Sequence, residues 1–92
     1  MPRFYLHTHD GVRRIEDQEG SDLADLASAR AEALESARHL WAAAIIADQD
    51  LSSLRFEIAD ENGRIVLTLP FVEALPAALR GARQGEESKP GE

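Results

Sequence analysis

The stretch from Leu26 to Ala47 does most to limit what this chain can fold into. Its apolar residues recur at three- and four-residue intervals, at Leu26, Ala29, Ala33, Leu34, Ala37, Leu40, Trp41, Ala44 and Ile45. At about 100° per residue these positions form one broad stripe, the signature of an amphipathic helix with a side to bury. Glu32, Glu35, Ser36, Arg38 and His39 lie mainly on the other side. The many alanines favour helix and allow a close approach to a sheet. Asp22 or Asp25 can accept hydrogen bonds from the first-turn amides, so the helix starts near one of them, and Asp48-Gln49-Asp50 breaks it.

The flanking segments follow a different period. Phe4, Leu6 and Thr8 alternate with Tyr5, His7 and His9, and Asp10-Gly11 then leads into Val12-Arg13-Arg14-Ile15-Glu16. An Asp-Gly pair between two β-capable runs predicts a hairpin closed by a type I′ turn. Asp17 to Asp22 is polar and turn-rich and is expected to be a loop. After the helix, Leu54, Phe56 and Ile58 alternate with Arg55, Glu57 and Ala59, Asp60-Glu61-Asn62-Gly63 makes a turn, and Ile65, Leu67, Leu69 and Phe71 return. Pro70 marks an edge or the end of pairing. Val72 to Arg80 fits a ragged helical turn or two interrupted at Pro76, and the segment from Gly81 onward offers nothing to bury and is expected to be a disordered polar tail.

These elements give an α+β domain over residues 1–80, in the order β-hairpin, long amphipathic helix, β-hairpin (ββαββ). The expected architecture is an antiparallel four-stranded sheet with the helix on one face. A domain of this size buries only roughly 60–65% of the surface its unfolded chain exposes. That leaves little room for both a core and a large internal pocket.

Composition removes several function classes. The formal charge of −7 opposes binding to nucleic acid or an anionic membrane. The absence of cysteine excludes disulfides, thiolate catalysis and cysteine zinc sites. The longest apolar run, Leu40 to Ala47, is far shorter than the roughly 20 residues that span a bilayer. The N-terminus reaches His7 and Asp10 too early for a secretory apolar core, so a cytoplasmic location is expected. No phosphate-binding glycine loop, nucleophile elbow, Ser-His-Asp spacing or calcium loop is present, and no cofactor is implied.

Three features remain as candidate sites. His7 and His9 are two apart on a strand, roughly 6.5–7 Å apart at the backbone. They can share a zinc or nickel ion only if a third ligand such as Glu57 joins them; otherwise they are surface histidines on a solvated face. If Phe4, Leu6, Phe56, Ile58, Leu67 and Leu69 face the helix, then Tyr5, His7, His9, Arg55, Glu57 and Thr68 share the opposite, uncovered face. Tyrosine and arginine there suit a protein partner or a second copy, although a solvated sheet face is the plainer reading. Arg30 falls by helical angle within the apolar stripe, which requires it to snorkel or to pair with a carboxylate, with Glu16, Asp17 and Glu19 as the expected partners. Ile46, apolar on the polar side of the helix, packs under the following loop or marks an exposed patch.

Several short runs resemble one family. They are Pro2-Arg3-Phe4-Tyr5-x-His7, Asp10-Gly11, Ala29-Arg30-Ala31-Glu32-Ala33, Phe56-Glu57-Ile58-x-Asp60-Glu61-x-Gly63 and Leu69-Pro70-Phe71. Together they resemble a family of small bacterial proteins found mainly in alphaproteobacteria such as rhizobia and methylobacteria, which is a domain of unknown function. The likeness covers residues 2 to 75 and implies a cytoplasmic bacterial protein with no assigned activity. It directs attention to Arg3, Tyr5, His7, Arg30 and Pro70-Phe71. His9 departs from the family pattern, which weakens the two-histidine metal reading.

The expected function is therefore a non-enzymatic interaction or adaptor module that binds a protein partner or a second copy of itself through the open face, an exposed strand edge, or both. A small ligand- or metal-binding protein using His7 and His9, and an antitoxin-like regulator, are the alternatives.

Overall fold

The computed structural model describes residues 1–80; the expectation of a disordered tail falls on residues 81–92, outside the described residues. The elements are β1 (Arg3–His9), β2 (Arg14–Ile15), β3 (Ser21–Asp22), α1 (Leu26–Ile46), β4 (Arg55–Ala59) and β5 (Ile65–Pro70), followed by a 3₁₀ turn at Phe71–Ala74. Residues 77–80, the end of the described chain, are helical. The class is α+β with an antiparallel sheet and one long helix, as the two periodicities require.

The principal strand order is β2-β1-β4-β5, and β3 adds a second short partner to β1. The sheet thus has five strands rather than four, because part of the polar segment expected to be only a loop pairs back at Arg3↔Asp22 and Phe4↔Ser21. The first hairpin also closes differently from expectation. Gly11 has φ +99, but Asp10 does not share the left-handed region, so this is not a type I′ turn. Instead the Asp10 carboxylate accepts the Val12 and Arg13 N–H groups at 2.8 and 2.7 Å, and Asp10 N–H reaches the Arg13 carbonyl. That local competition for amides shortens β2 to two residues. The second hairpin closes as its sequence indicates, with Gly63 at φ +82. A register shift at Ile58/Ala59 leaves Val66 as the extra residue of a bulge.

Both ends of α1 are capped by local chemistry. Asp25 holds an extended backbone, and its carboxylate accepts Ser28 N–H at 2.8 Å. At the other end Asp48 sits at φ +60, Asp48 N–H reaches the Ile45 carbonyl, and Gln49 N–H reaches the Ala44 carbonyl at 2.7 Å. This is the Schellman arrangement, built here on an aspartate rather than a glycine.

The core lies between α1 and one sheet face. The helix contributes Ala29, Ala33, Ala37, Trp41 and Ala44, and the rest of the chain contributes Phe4, Phe56, Ile58, Leu69, Phe71 and Ala74. The buried stripe is narrower than the sequence pattern: Leu26, Leu40 and Ile45 remain substantially exposed. Alanines at four-residue spacing let the helix settle close to the sheet, and the larger residues flanking them are then held out of the interface. Phe71, Ile58 and Leu69 are the largest fully buried side chains, each contributing roughly 1.5–3 kcal/mol of burial. The Trp41 indole N–H donates to the Phe71 carbonyl at 2.8 Å, joining α1 to the chain just past β5.

Candidate functional site

The register of the three long strands decides which side chains share the uncovered face. His7 lies opposite Glu57 and His9 opposite Arg55 across β1–β4, while Glu57 lies opposite Thr68 and Arg55 opposite Pro70 across β4–β5. Tyr5, His7, His9, Arg55, Glu57 and Thr68 therefore occupy one side of the sheet, away from the Phe4, Leu6, Phe56, Ile58, Leu67 and Leu69 set. The structure brings all six together on one surface.

His7 is at its centre, only 8% exposed and the one buried polar side chain among the described residues. Its ring stacks in parallel with Tyr5 at 6.3 Å between centroids. Its Nδ1 accepts the Asp17 backbone N–H at 3.0 Å. Neutral His7 must therefore carry its proton on Nε2. Burial lowers the His7 pKa from 6.5, and the Arg14 charge adds to that, against the opposing charges of Glu16, Asp17 and Glu57.

Asp17 reciprocates. Its carboxylate accepts Leu6 N–H at 3.1 Å on one oxygen, and Gly20 and Glu19 N–H at 3.1 and 3.3 Å on the other. Partial burial would raise its pKa, but the bonds from Leu6, Gly20 and Glu19 outweigh burial and hold it below 3.8. Gly20 is required beside it: at φ +72, an added Cβ would sit 2.9 Å from both Arg3 Cγ and Tyr5 Cε2, and 3.0 Å from the Phe4 carbonyl oxygen. Arg3 fastens the same loop, donating to the Glu19 carbonyl and pairing with Asp22 at 3.1 Å.

Glu57 is held between two arginines, Arg55 at 3.2 Å and Arg14 at 3.7 Å. Arg14 and the structural role of Asp17 were not singled out from sequence. The signals were present, because Asp17-Gln18-Glu19-Gly20 has the form of an aspartate-headed turn, and Arg14 falls opposite His9 once the hairpin register is set.

The expected partnership of Arg30 is corrected. Its guanidinium is half-exposed and stands 3.8 Å from Glu73, not against Glu16, Asp17 or Glu19. One residue beyond Ala29, it lies about 100° round the helix from the contact line, on the side where the 3₁₀ turn packs. Ile46 is 88% exposed and does not pack under the loop. His39 stays on the exposed side of α1, 3.8 Å from Glu35.

The arrangement is internally satisfied and offers little free chemistry. His9 Nδ1 accepts Gly11 N–H at 2.8 Å, so both histidines already use one ring nitrogen on backbone amides. Among the described residues no three of His, Asp and Glu are grouped to hold a metal ion. A shallow depression of about 390 Å³ beside Tyr5 and His7 is lined by Glu16, Asp17, Asp60 and Glu61. The face can make contacts, with Tyr5, His9 and Thr68 accessible around a rigid polar centre.

A family model described as a domain of unknown function, DUF6894, matches residues 3–72. No curated protein and no solved structure matches the chain.

Proposed function

Since the chain belongs to the DUF6894 family, whose function is unknown, its role has to be argued from its own geometry, and we propose a non-enzymatic protein-interaction module. The contact is made by the outer edge of β5, with Thr68 and the neighbouring open face at its margin, and the first partner is a second copy of the chain.

One observation carries this reading: among the described residues no strand pairs with the outer side of β5. The alternation along that strand follows from Phe71 N–H bonding the Leu54 carbonyl and from the pairs Phe56↔Leu69 and Ile58↔Leu67. Those positions turn inward, so the Thr68 N–H and carbonyl and the Pro70 carbonyl face outward. Residues 65–69, Ile-Val-Leu-Thr-Leu, carry no charge, so two copies can align here without like-charge contact despite the net −7. Pro70 lacks an N–H and limits the length of the added ladder. Main-chain pairing of this kind supplies affinity, while side chains such as Thr68 set register.

The negative charge argues against nucleic acid, and no helix among the described residues is long and apolar enough to cross a membrane. The motif runs at residues 2–7 and 56–71 support an alphaproteobacterial, cytoplasmic setting.

The test is sedimentation across a concentration series for the natural chain and for Thr68→Pro. Proline at 68 removes an outward N–H that has no internal partner, so circular dichroism should stay native. The natural chain should approach a dimer mass, and the variant should remain monomeric. A natural chain that stays monomeric at millimolar concentration would sink self-association through this edge.

A further inference from the structure

A second surface involves none of the open-face residues and none of β5. Between the C-terminal half of α1 and residues 73–80 runs an open groove of about 530 Å³. Its walls are mainly apolar, with Trp41 and Ile45 from the helix and Leu75 and Leu79 from the facing segment. Ile45 is 61% exposed and Leu79 48% exposed, so apolar surface here is left in water rather than tucked into the core. The volume is within the range of small-molecule sites.

Arg3, Arg14, Arg30 and Arg55 each stand within reach of a carboxylate. Among the described residues four arginines form no ion pair, and two of them, Arg38 and Arg80, line this groove, while Arg13 and Arg64 lie elsewhere. The Arg80 Nε is buried with no hydrogen-bond acceptor, a condition that costs stability unless something supplies the oxygen. Glu73, the one acid in the lining among the described residues, stands 3.8 Å from Arg30. Two arginines without an ion pair among the described residues thus stand beside a mainly apolar groove.

We propose that this groove binds a linear aliphatic carboxylate. The hydrocarbon chain lies against Trp41, Ile45, Leu75 and Leu79, and the carboxylate meets Arg80, with Arg38 adding charge. Arg38, Trp41 and Ile45 line one wall at helical spacing, and seven residues of rise give that wall a length of about 10 Å. That matches a medium-length acyl chain.

Trp41 is the only tryptophan in the chain, so its emission reports on the groove directly. The experiment titrates octanoate, decanoate, decanol and decyltrimethylammonium into the full-length protein below their micellar concentrations, with far-UV circular dichroism confirming the fold throughout. Decanoate should give a saturable change and bind roughly tenfold more tightly than octanoate, from two added methylenes. Arg80→Gln should weaken decanoate binding at least about tenfold, the value of a charge-assisted hydrogen bond. Decanol and the cationic amphiphile should bind far more weakly. The proposal fails if decanoate gives no saturable change, if the response survives in the Arg38→Gln, Arg80→Gln double variant or in Ile45→Glu, or if the cation binds as well as the acid. It also fails if an acidic amphipathic peptide perturbs Trp41 where decanoate does not, since the occupant would then be a partner helix.

Discussion

The two edges of the sheet solve the same problem in opposite ways. On the β1 side, two fragments of two residues each close the edge: β3 pairs at Arg3 and Phe4, and β2 at Thr8 and His9. Between them Leu6 N–H would face outward without a strand, and the Asp17 carboxylate takes it instead. The covering segment carries Glu16, Asp17, Glu19 and Asp22, so this edge is both paired and charged. On the β5 side nothing is paired among the described residues, no charge interrupts residues 65–69, and the bulge at Val66 and Pro70 limit the ladder at its two ends. Natural sheets blunt exposed edges with charge, bulges, short strands or covering loops. One edge here uses charge, short strands and a loop, and the other has a bulge and a proline near its ends with an accessible centre. The difference is what the proposed use of the β5 edge would require.

Breaking the closed edge should have the largest effect. Asp17→Ala removes the acceptor of three backbone amides while keeping the backbone N–H that His7 accepts, and should cost about 2–3 kcal/mol in denaturant unfolding. Hydrogen exchange at the Leu6 amide should change from protected to fast, and the exposed β1 edge should gain the pairing proposed for the β5 edge. An Asp17→Ala protein with Leu6 still protected would mean that the carboxylate does not hold the edge.

Gly20→Ala sharpens the same comparison with a smaller effect. The positive φ and the close approach to Arg3, Tyr5 and the Phe4 carbonyl should together cost about 1–3 kcal/mol, read as a lower denaturation midpoint at unchanged slope. No equivalent requirement exists along the centre of β5.

Acidification should show the mildest difference. The folded protein holds His7 below 6.5, so the unfolded chain takes up that proton first and stability falls as pH drops from 6.5 towards the folded value, becoming constant below it. Asp17, held below 3.8, adds a second loss as pH falls from there through its folded value. His7→Asn keeps an acceptor for Asp17 N–H and should flatten the first slope while leaving the second. An unchanged slope between pH 6.5 and 5 in that variant would assign the effect to another group.

How much was legible in the sequence depended on the range of the interaction. Period-2 and period-3.6 patterns placed the three long strands and the helix, because alternation along a chain is a local consequence of backbone geometry. The same alternation put Tyr5, His7, His9, Arg55, Glu57 and Thr68 on one face. The register then added the pairing of His7 with Glu57, which no single strand contains. The β3 pairing, the Asp17 bridge and the Arg30–Glu73 contact were not legible. Each depends on where a polar loop or turn folds back in three dimensions, and such segments carry no hydrophobic period. The stripe on α1 was overestimated for a related reason: angle predicts which residues can face a sheet, but alanine size decides how close the helix comes and which neighbours are kept out.

That closeness governs how the sequence can drift. At Ala29, Ala33 and Ala37 the helix offers the core only methyl groups, all with no exposure. The volume of the interior is therefore set on the opposite wall, where Phe4, Phe56 and Phe71 have large side chains that can exchange bulk with their neighbours. The three alanines have no lineage open to them other than glycine or serine, because any larger side chain would lift the helix from the sheet along its whole length.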